Sequence, residues 1–330
     1  MPSMATPATK PVVPYKLGDV AASEQLIQDL YLDLRRRTRQ WAAITMQTAQ
    51  ARMGYIGQHL VSVATGRPGG RSGARGHDLL HADGTPGEIK TCYRVDQLGK
   101  CRDCGGGVAP DEKECSSCGS TNLERKDDSK WLISLRNETE YAELLAPSLY
   151  YLVLFEFTDL ARPDTIRASI WTVKPTTPGF ILCMVDYYQN IRAASTSKAP
   201  FNLWPYSLKF ELMRPQLVYQ SIINPDDTIK TVVFPGRDKP APHPFSDLAV
   251  HARTKVPEEV WRSAAQRMKG PRTGTRKTDM AFIEQVRTSG RVSNDDLCDL
   301  LAQELYRPLV TPHVSSLPKP LRQPVNDALK

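Results

Sequence analysis

The sequence predicts an α/β protein: a mixed central sheet flanked by helices, with a four-cysteine metal ribbon inserted and a small helical C-terminal region. Three observations carry this. Leu26, Ile27, Leu30, Tyr31 and Leu34 recur at 3.6-residue spacing, and helical character returns beyond residue 257. Between these ends lie strand-like runs, of which residues 150–157 are apolar enough for a buried central strand. Two Cys-x-x-Cys-Gly knuckles sit among those runs.

The elements follow in order. Residues 1–22 read as a flexible leader without the apolar run of a signal peptide. A helix is expected over 23–47, with Ser23 as its N-cap, and a second over 53–65, ended by Gly66. The loop 66–76 holds five glycines and three arginines. Strands are expected at 77–81, 85–92, 131–135, 150–157, 165–173, 207–221 and 228–234, with a helix at 137–146. These make a core over 23–233, with the ribbon at 99–125. Proline and charge mark 234–256 as a linker. Helices at 257–268, 278–288 and 294–305 precede a Pro-rich tail, expected to be extended from Arg307.

Composition bounds the function. The chain has 330 residues, 40% hydrophobic and 24% charged, ordinary for a globular protein with a full core. Nothing approaches the ~20 consecutive apolar residues of a membrane helix, so a cytoplasmic protein is expected. The net charge of +7 suits a polyanionic partner.

Residues 78–90 read D-L-L-H-A-D-G-T-P-G-E-I-K. Glu88 and Lys90 are two apart, so on a strand both side chains face one way. A two-residue turn at Asp83-Gly84 would set Asp78 opposite Ile89, on the wrong face. A three-residue loop, with Gly84 left-handed, sets Asp78 opposite Glu88. Two carboxylates ~5 Å apart repel unless a cation lies between them. Mg²⁺ prefers oxygen ligands, here Asp78, Glu88 and the Ile89 carbonyl. Lys90 would then orient or help deprotonate a water attacking a phosphodiester. A surface hairpin with ordinary polar residues would give the same spacing by chance.

Context sharpens this. Two helices, the Arg/Gly loop, the hairpin and the apolar strands together resemble the core of PD-(D/E)XK nucleases, with His77 where that family has proline. The resemblance implies a site residue from the preceding helix, for which Gln58 is the candidate; the adjacent His59 is read as structural. The runs R-M-G-Y-I-G-Q-H-L, G-G-R-S-G-A-R-G-H-D-L, G-E-I-K-T-C-Y-R-V-D-Q-L-G and K-D-D-S-K-W are similar to the MamI family of type II restriction endonucleases. That resemblance implies a homodimer cutting both strands of double-stranded DNA at a short, symmetric, interrupted site. Beyond residue 157 it carries little.

Cys101, Cys104, Cys115 and Cys118 form the two knuckles, with ten residues between them. They predict a tetrahedral four-thiolate site, zinc or iron, with no position open for substrate and hence structural. Candidate DNA contacts are Arg67, Arg71 and Arg75 in the loop, and Arg94, Asp96 and Gln97 after the strand. The Arg35–Arg39 cluster reads as a solvated helix face. Residues 278–305 could form a helix-turn-helix, but Asp295, Asp296 and Asp299 favour packing over groove insertion. No nucleotide-binding motif is present. Two other functions fit the same residues: a non-cutting zinc-ribbon DNA-binding protein and a structure-selective repair nuclease.

Overall fold

The computed structural model describes residues 15–45, 53–70, 77–110, 112–195, 200–242, 255–269, 275–289 and 291–330. Its strands, numbered in chain order, are β1 (Leu79–Leu80), β2 (Pro86–Tyr93), β3 (Gly99–Cys101), β4 (Gly107–Val108), β5 (Leu123–Glu124), β6 (Trp131–Ile133), β7 (Leu149–Phe157), β8 (Ile166–Val173), β9 (Phe201–Leu203), β10 (Gln216–Ile223), β11 (Ile229–Val233) and β12 (Ala241–Pro242).

The central sheet runs β1-β2-β7-β8-β10-β11, with β12 also paired to β10. It is mixed: β2 and β7 are parallel, and its other pairings are antiparallel. A parallel pair needs a long crossover. Here the crossover carries the ribbon, β6 and the short helix Glu138–Glu143. β7 is buried along almost its whole length because both of its faces are covered. Tyr151, Val153 and Phe155 meet Ile27, Tyr31, Ile56 and Leu60 of the N-terminal helices. Leu152 and Leu154, on the other face, share a cluster with Trp131, Phe180, Trp261 and Leu301. Trp261 and Leu301 belong to the C-terminal helices, which therefore pack into the same core as the sheet.

Several expectations shift. The first helix begins at Val20, capped by Asp19, which accepts from Ala22 N at 3.2 Å. Ser23 lies inside it, its hydroxyl donating to Val20 O at 2.7 Å. The helix passes through a π-helical turn, Ile27–Leu32, and continues over Asp33–Thr45. Ser207 caps a short helix, Leu208–Leu212, so the strand expected over 207–221 starts only at Gln216. The helix Pro178–Asp186 was not foreseen, because eight of its nine residues are buried and no polar face marks a period. Its start signal was Pro178 in the first turn. The tail is not extended: Asn294–Val310 continues into a 3₁₀ segment, Thr311–Ser316, and a helix, Lys319–Ala328. Leu321, Val325 and Ala328 return at helical spacing and are buried, which outweighs the interior Pro324; Pro320 lies in the first turn, where proline is tolerated. In the stretch read as a linker, Ala241 pairs with Leu217 and Phe234 is buried; residues 243–254 lie outside the described residues.

The helix Arg276–Thr288 and the capped helix after it pack rather than protrude. Leu297, Leu301 and Ala302 are buried, and Arg214 reaches Asp295 at 2.5 Å and Asp299 at 2.9 Å. Asp96 is a buried anchor instead of a DNA contact, and part of the arginine cluster is not solvated. Its carboxylate accepts from Arg35 (2.5 and 2.7 Å), Arg39 (2.8 Å) and the Tyr93 hydroxyl (3.1 Å). Burial alone would push this carboxyl up, but the Arg35 hydrogen bonds and charge hold it below its ordinary value of 3.8.

Two outcomes follow from this packing. A Cβ on Gly57 would collide with the Thr91 side chain, so the glycine sets how closely the helix Met53–Thr65 rests on β2. Gly57→Ala lowers stability by roughly 1–3 kcal/mol in denaturant unfolding, and Thr91→Ala in the same chain restores part of it. Asp96→Asn keeps the side-chain shape but leaves two arginines short of their counter-charge, at about 3 kcal/mol near neutral pH. A depressed folded pKa gives stability that is full above the unfolded value and lost as pH falls through the folded one. The gap between wild type and Asp96→Asn therefore narrows below about pH 4.

Candidate active site

The hairpin between β1 and β2 has the expected three-residue loop. Leu79 pairs with Gly87 and Leu80 with Pro86. His81 N donates to Thr85 O at 2.9 Å, Gly84 N to His81 O at 2.9 Å, and Gly84 sits at φ +81°. Continuing this register by one residue sets Asp78 opposite Glu88.

Asp78 lies just beyond the end of β1 and is clamped from two sides. Ile89 N donates to its Oδ2 at 2.9 Å, and Gln58 Nε2 donates to its Oδ1 at 2.9 Å. Gln58 reaches it because Gly57 lets its helix close on β2. Glu88 Oε1 accepts from Lys90 Nζ at 2.6 Å, and both side chains remain partly exposed. The Tyr150 hydroxyl is buried nearby, donating to Leu144 O at 2.9 Å. Its acidity is suppressed, by burial first and then by the Glu88 charge.

Glu88, Lys90 and Tyr150 open onto a cleft of about 410 Å³, lined also by His77 and Arg136 among others. Lys90 also lines a second cleft of about 650 Å³. Asp78, Glu88 and the Ile89 carbonyl are hard oxygen donors, the set that suits Mg²⁺. Each carboxylate oxygen has a second lone pair beyond its present hydrogen bond. The residues therefore fit a divalent cation at this position.

The glycine loop has a second use. Gly69 bridges to Leu79, and Gly70 N donates to Asp78 O at 3.4 Å. A Cβ at Gly70 would collide with His77 O, so glycine is needed for the loop to lie on the strand that bears Asp78. Arg67 lies near the Tyr151 hydroxyl and near Asp83. Arg71 and Arg75 lie outside the described residues.

Arg94 is turned inward, and Gln97 is half-buried at the wall of the second cleft. Arg94 is 8% exposed and donates to Ser129 O at 3.1 Å, with Asp127 at 3.5 Å. Gln97 donates to Tyr93 O at 2.8 Å and accepts from Asp128 N at 3.1 Å. Nothing in their sequence spacing showed that a returning segment would engage them.

The four cysteines converge. Their Sγ atoms all lie within 4.8 Å of one another, with 3.6 Å for Cys101–Cys118 and for Cys104–Cys115. A disulfide needs about 2.05 Å. The edge of a tetrahedron with Zn–S bonds of ~2.3 Å is about 3.8 Å, so the spacing fits a four-thiolate metal. Gly105 (φ +75°) and Gly119 (φ +72°) complete the knuckle turns. Among the described residues, the apolar cluster of the ribbon sheet β4-β3-β5 is Cys101, Val108, Cys115 and part of Leu123, too little to stand without metal.

A model of the MamI restriction endonuclease family matches residues 40–249, more than half of the chain. Among characterised proteins, the chain is 29% identical over 153 residues to the type II restriction enzyme MamI of Microbacterium ammoniaphilum. That alignment spans 45% of this chain and 43% of the relative, so less than half of either is compared. No solved structure matches the chain.

The ribbon yields a direct outcome. The protein as purified carries one tightly held ion per chain at the cysteines, measured by elemental analysis. Chelation releases it and makes four additional thiols reactive to a thiol reagent. Four thiols already reactive before chelation would contradict the site.

Proposed function

The chain belongs to the MamI restriction endonuclease family, and from that membership we propose that it is a type II restriction endonuclease that hydrolyses double-stranded DNA with Mg²⁺. The observation that carries this reading is the clamped Asp78 set opposite Glu88, with Lys90 at the mouth of two open clefts. The core is proposed as a PD-(D/E)XK nuclease unit. A symmetric homodimer acting on a two-fold DNA site suits cleavage of both strands. Work on DNA without a nucleotide cofactor, in the cytoplasm, belongs to the same proposal. No helix among the described residues is long and apolar enough to cross a membrane.

In the proposed mechanism Asp78, Glu88 and the Ile89 carbonyl would hold the catalytic cation. When bound, Mg²⁺ offsets charge on the scissile phosphate and lowers the pKa of a bound water. Gln58 and the Ile89 amide fix the Asp78 carboxylate, so it enters the reaction already oriented. Glu88 holds the Lys90 ammonium at the cleft. There Lys90 orients the attacking water and meets the phosphate's negative charge. An ion at the four cysteines, proposed as zinc, would take no part in the chemistry, since four thiolates leave a tetrahedral ion no open position.

Plasmid incubated with the metal-loaded protein and Mg²⁺ gives discrete bands, and EDTA abolishes them. Asp78→Ala, Glu88→Ala and Lys90→Ala each reduce cleavage by roughly 10²–10⁴-fold without unfolding the chain. Gln58→Ala, acting through Asp78, costs roughly 10–100-fold. A smear in place of bands would favour the structure-selective nuclease. DNA binding without cutting, unchanged by Asp78→Ala, would leave only a ribbon-based binding protein.

A further inference from the structure

The second cleft has an electrostatic character that the catalytic reading does not use. Its charged lining is three ammonium groups, Lys90, Lys126 and Lys130, against one carboxylate, Asp128. Lys126 and Lys130 lie on the irregular segment returning from the ribbon, between β5 and β6. Neither has a carboxylate partner among the described residues. Lys130 Nζ instead rests 4.7 Å from the centre of the Trp204 ring.

The returning segment is fastened to the end of β2 by Arg94 and Gln97. Arg94 holds Ser129 O and Asp127, which removes that acid from the pair of lysines. Gln97 holds the amide of Asp128. The fastening is backbone-directed on one side and leaves the lysine stems facing the cleft. Lysines without carboxylate partners, on a segment fastened to the end of β2 beside an open groove, are point charges suited to phosphate oxygens. Because Lys90 borders both clefts, a backbone seated against this strap continues directly to the candidate catalytic groups.

We propose that residues 126–130 form a phosphate rail, in which Lys126 and Lys130 bind the DNA backbone flanking the scissile phosphate and Arg94 and Gln97 are positioning residues. This rests on the nuclease reading above and names the surface by which that site holds its substrate. The rail supplies grip and register, not base recognition.

The test is binding of the metal-loaded, full-length protein to a short DNA duplex in EDTA, measured across a range of salt. Each phosphate contact contributes about −0.9 to the slope of log affinity against log salt. Lys126→Ala and Lys130→Ala are each expected to flatten that slope by about 1. Together they weaken binding roughly tenfold or more at 0.1 M salt. Lys230→Ala, exposed on β11 at the far side of the sheet, serves as the control and leaves the slope unchanged. Slopes unchanged in both rail variants, while wild type binds, overturn the rail and leave the nuclease reading intact. An equal loss in Lys230→Ala shows an effect of net charge alone and also overturns it. Failure of the wild-type protein to bind or cut DNA at all sinks both readings.

Discussion

Everything at the candidate site depends on the register of one hairpin. A shift of one residue between β1 and β2 would move Asp78 to the opposite face of the sheet. The chain fixes the register twice. Gly84 accepts the left-handed conformation that a three-residue loop requires, and Asp78 itself caps the Ile89 amide just past the end of β1. The same carboxylate that would hold a cation therefore locks the geometry that brings it to Glu88. Gln58 adds a third restraint from the helix, at a distance set by the glycine beside it.

A second constraint is topological. β2 and β7 are parallel, so the chain must travel back across the sheet between them. That return path is spent on the ribbon, the lysine strap and β6. The four converging cysteines offer a metal site that can close the ribbon where apolar burial is too small to do so. Arg94 and Gln97 then tie the returning segment to the end of the strand that carries Glu88 and Lys90. Four-cysteine ribbon, basic strap and candidate catalytic strand are thus parts of one covalent path.

What could be read from the sequence was what short-range geometry governs. The i, i+2 spacing of Glu88 and Lys90, the Asp83-Gly84 turn and the two cysteine knuckles each specify local structure almost alone. The strand 150–157 was legible because a strand buried on both faces has no polar alternation. The helix Pro178–Asp186 was hidden for a related reason: burial all round erases the period that identifies a helix. Long-range pairing was the other blind spot. The anchoring of Arg35 and Arg39 by Asp96 joins residues about sixty positions apart. That Arg94 and Gln97 fasten a distant segment was hidden because their partners, Ser129 and Asp128, arrive only after the ribbon has been traversed.

The most direct test of the account is a crystal structure with Mn²⁺, whose anomalous signal locates the ion independently of the protein map. The account predicts a peak at the mouth of the cleft, within about 2.0–2.3 Å of oxygens from Asp78, Glu88 and the Ile89 carbonyl. A map with no ion there at saturating Mn²⁺, or with the ion held by other residues, would contradict it.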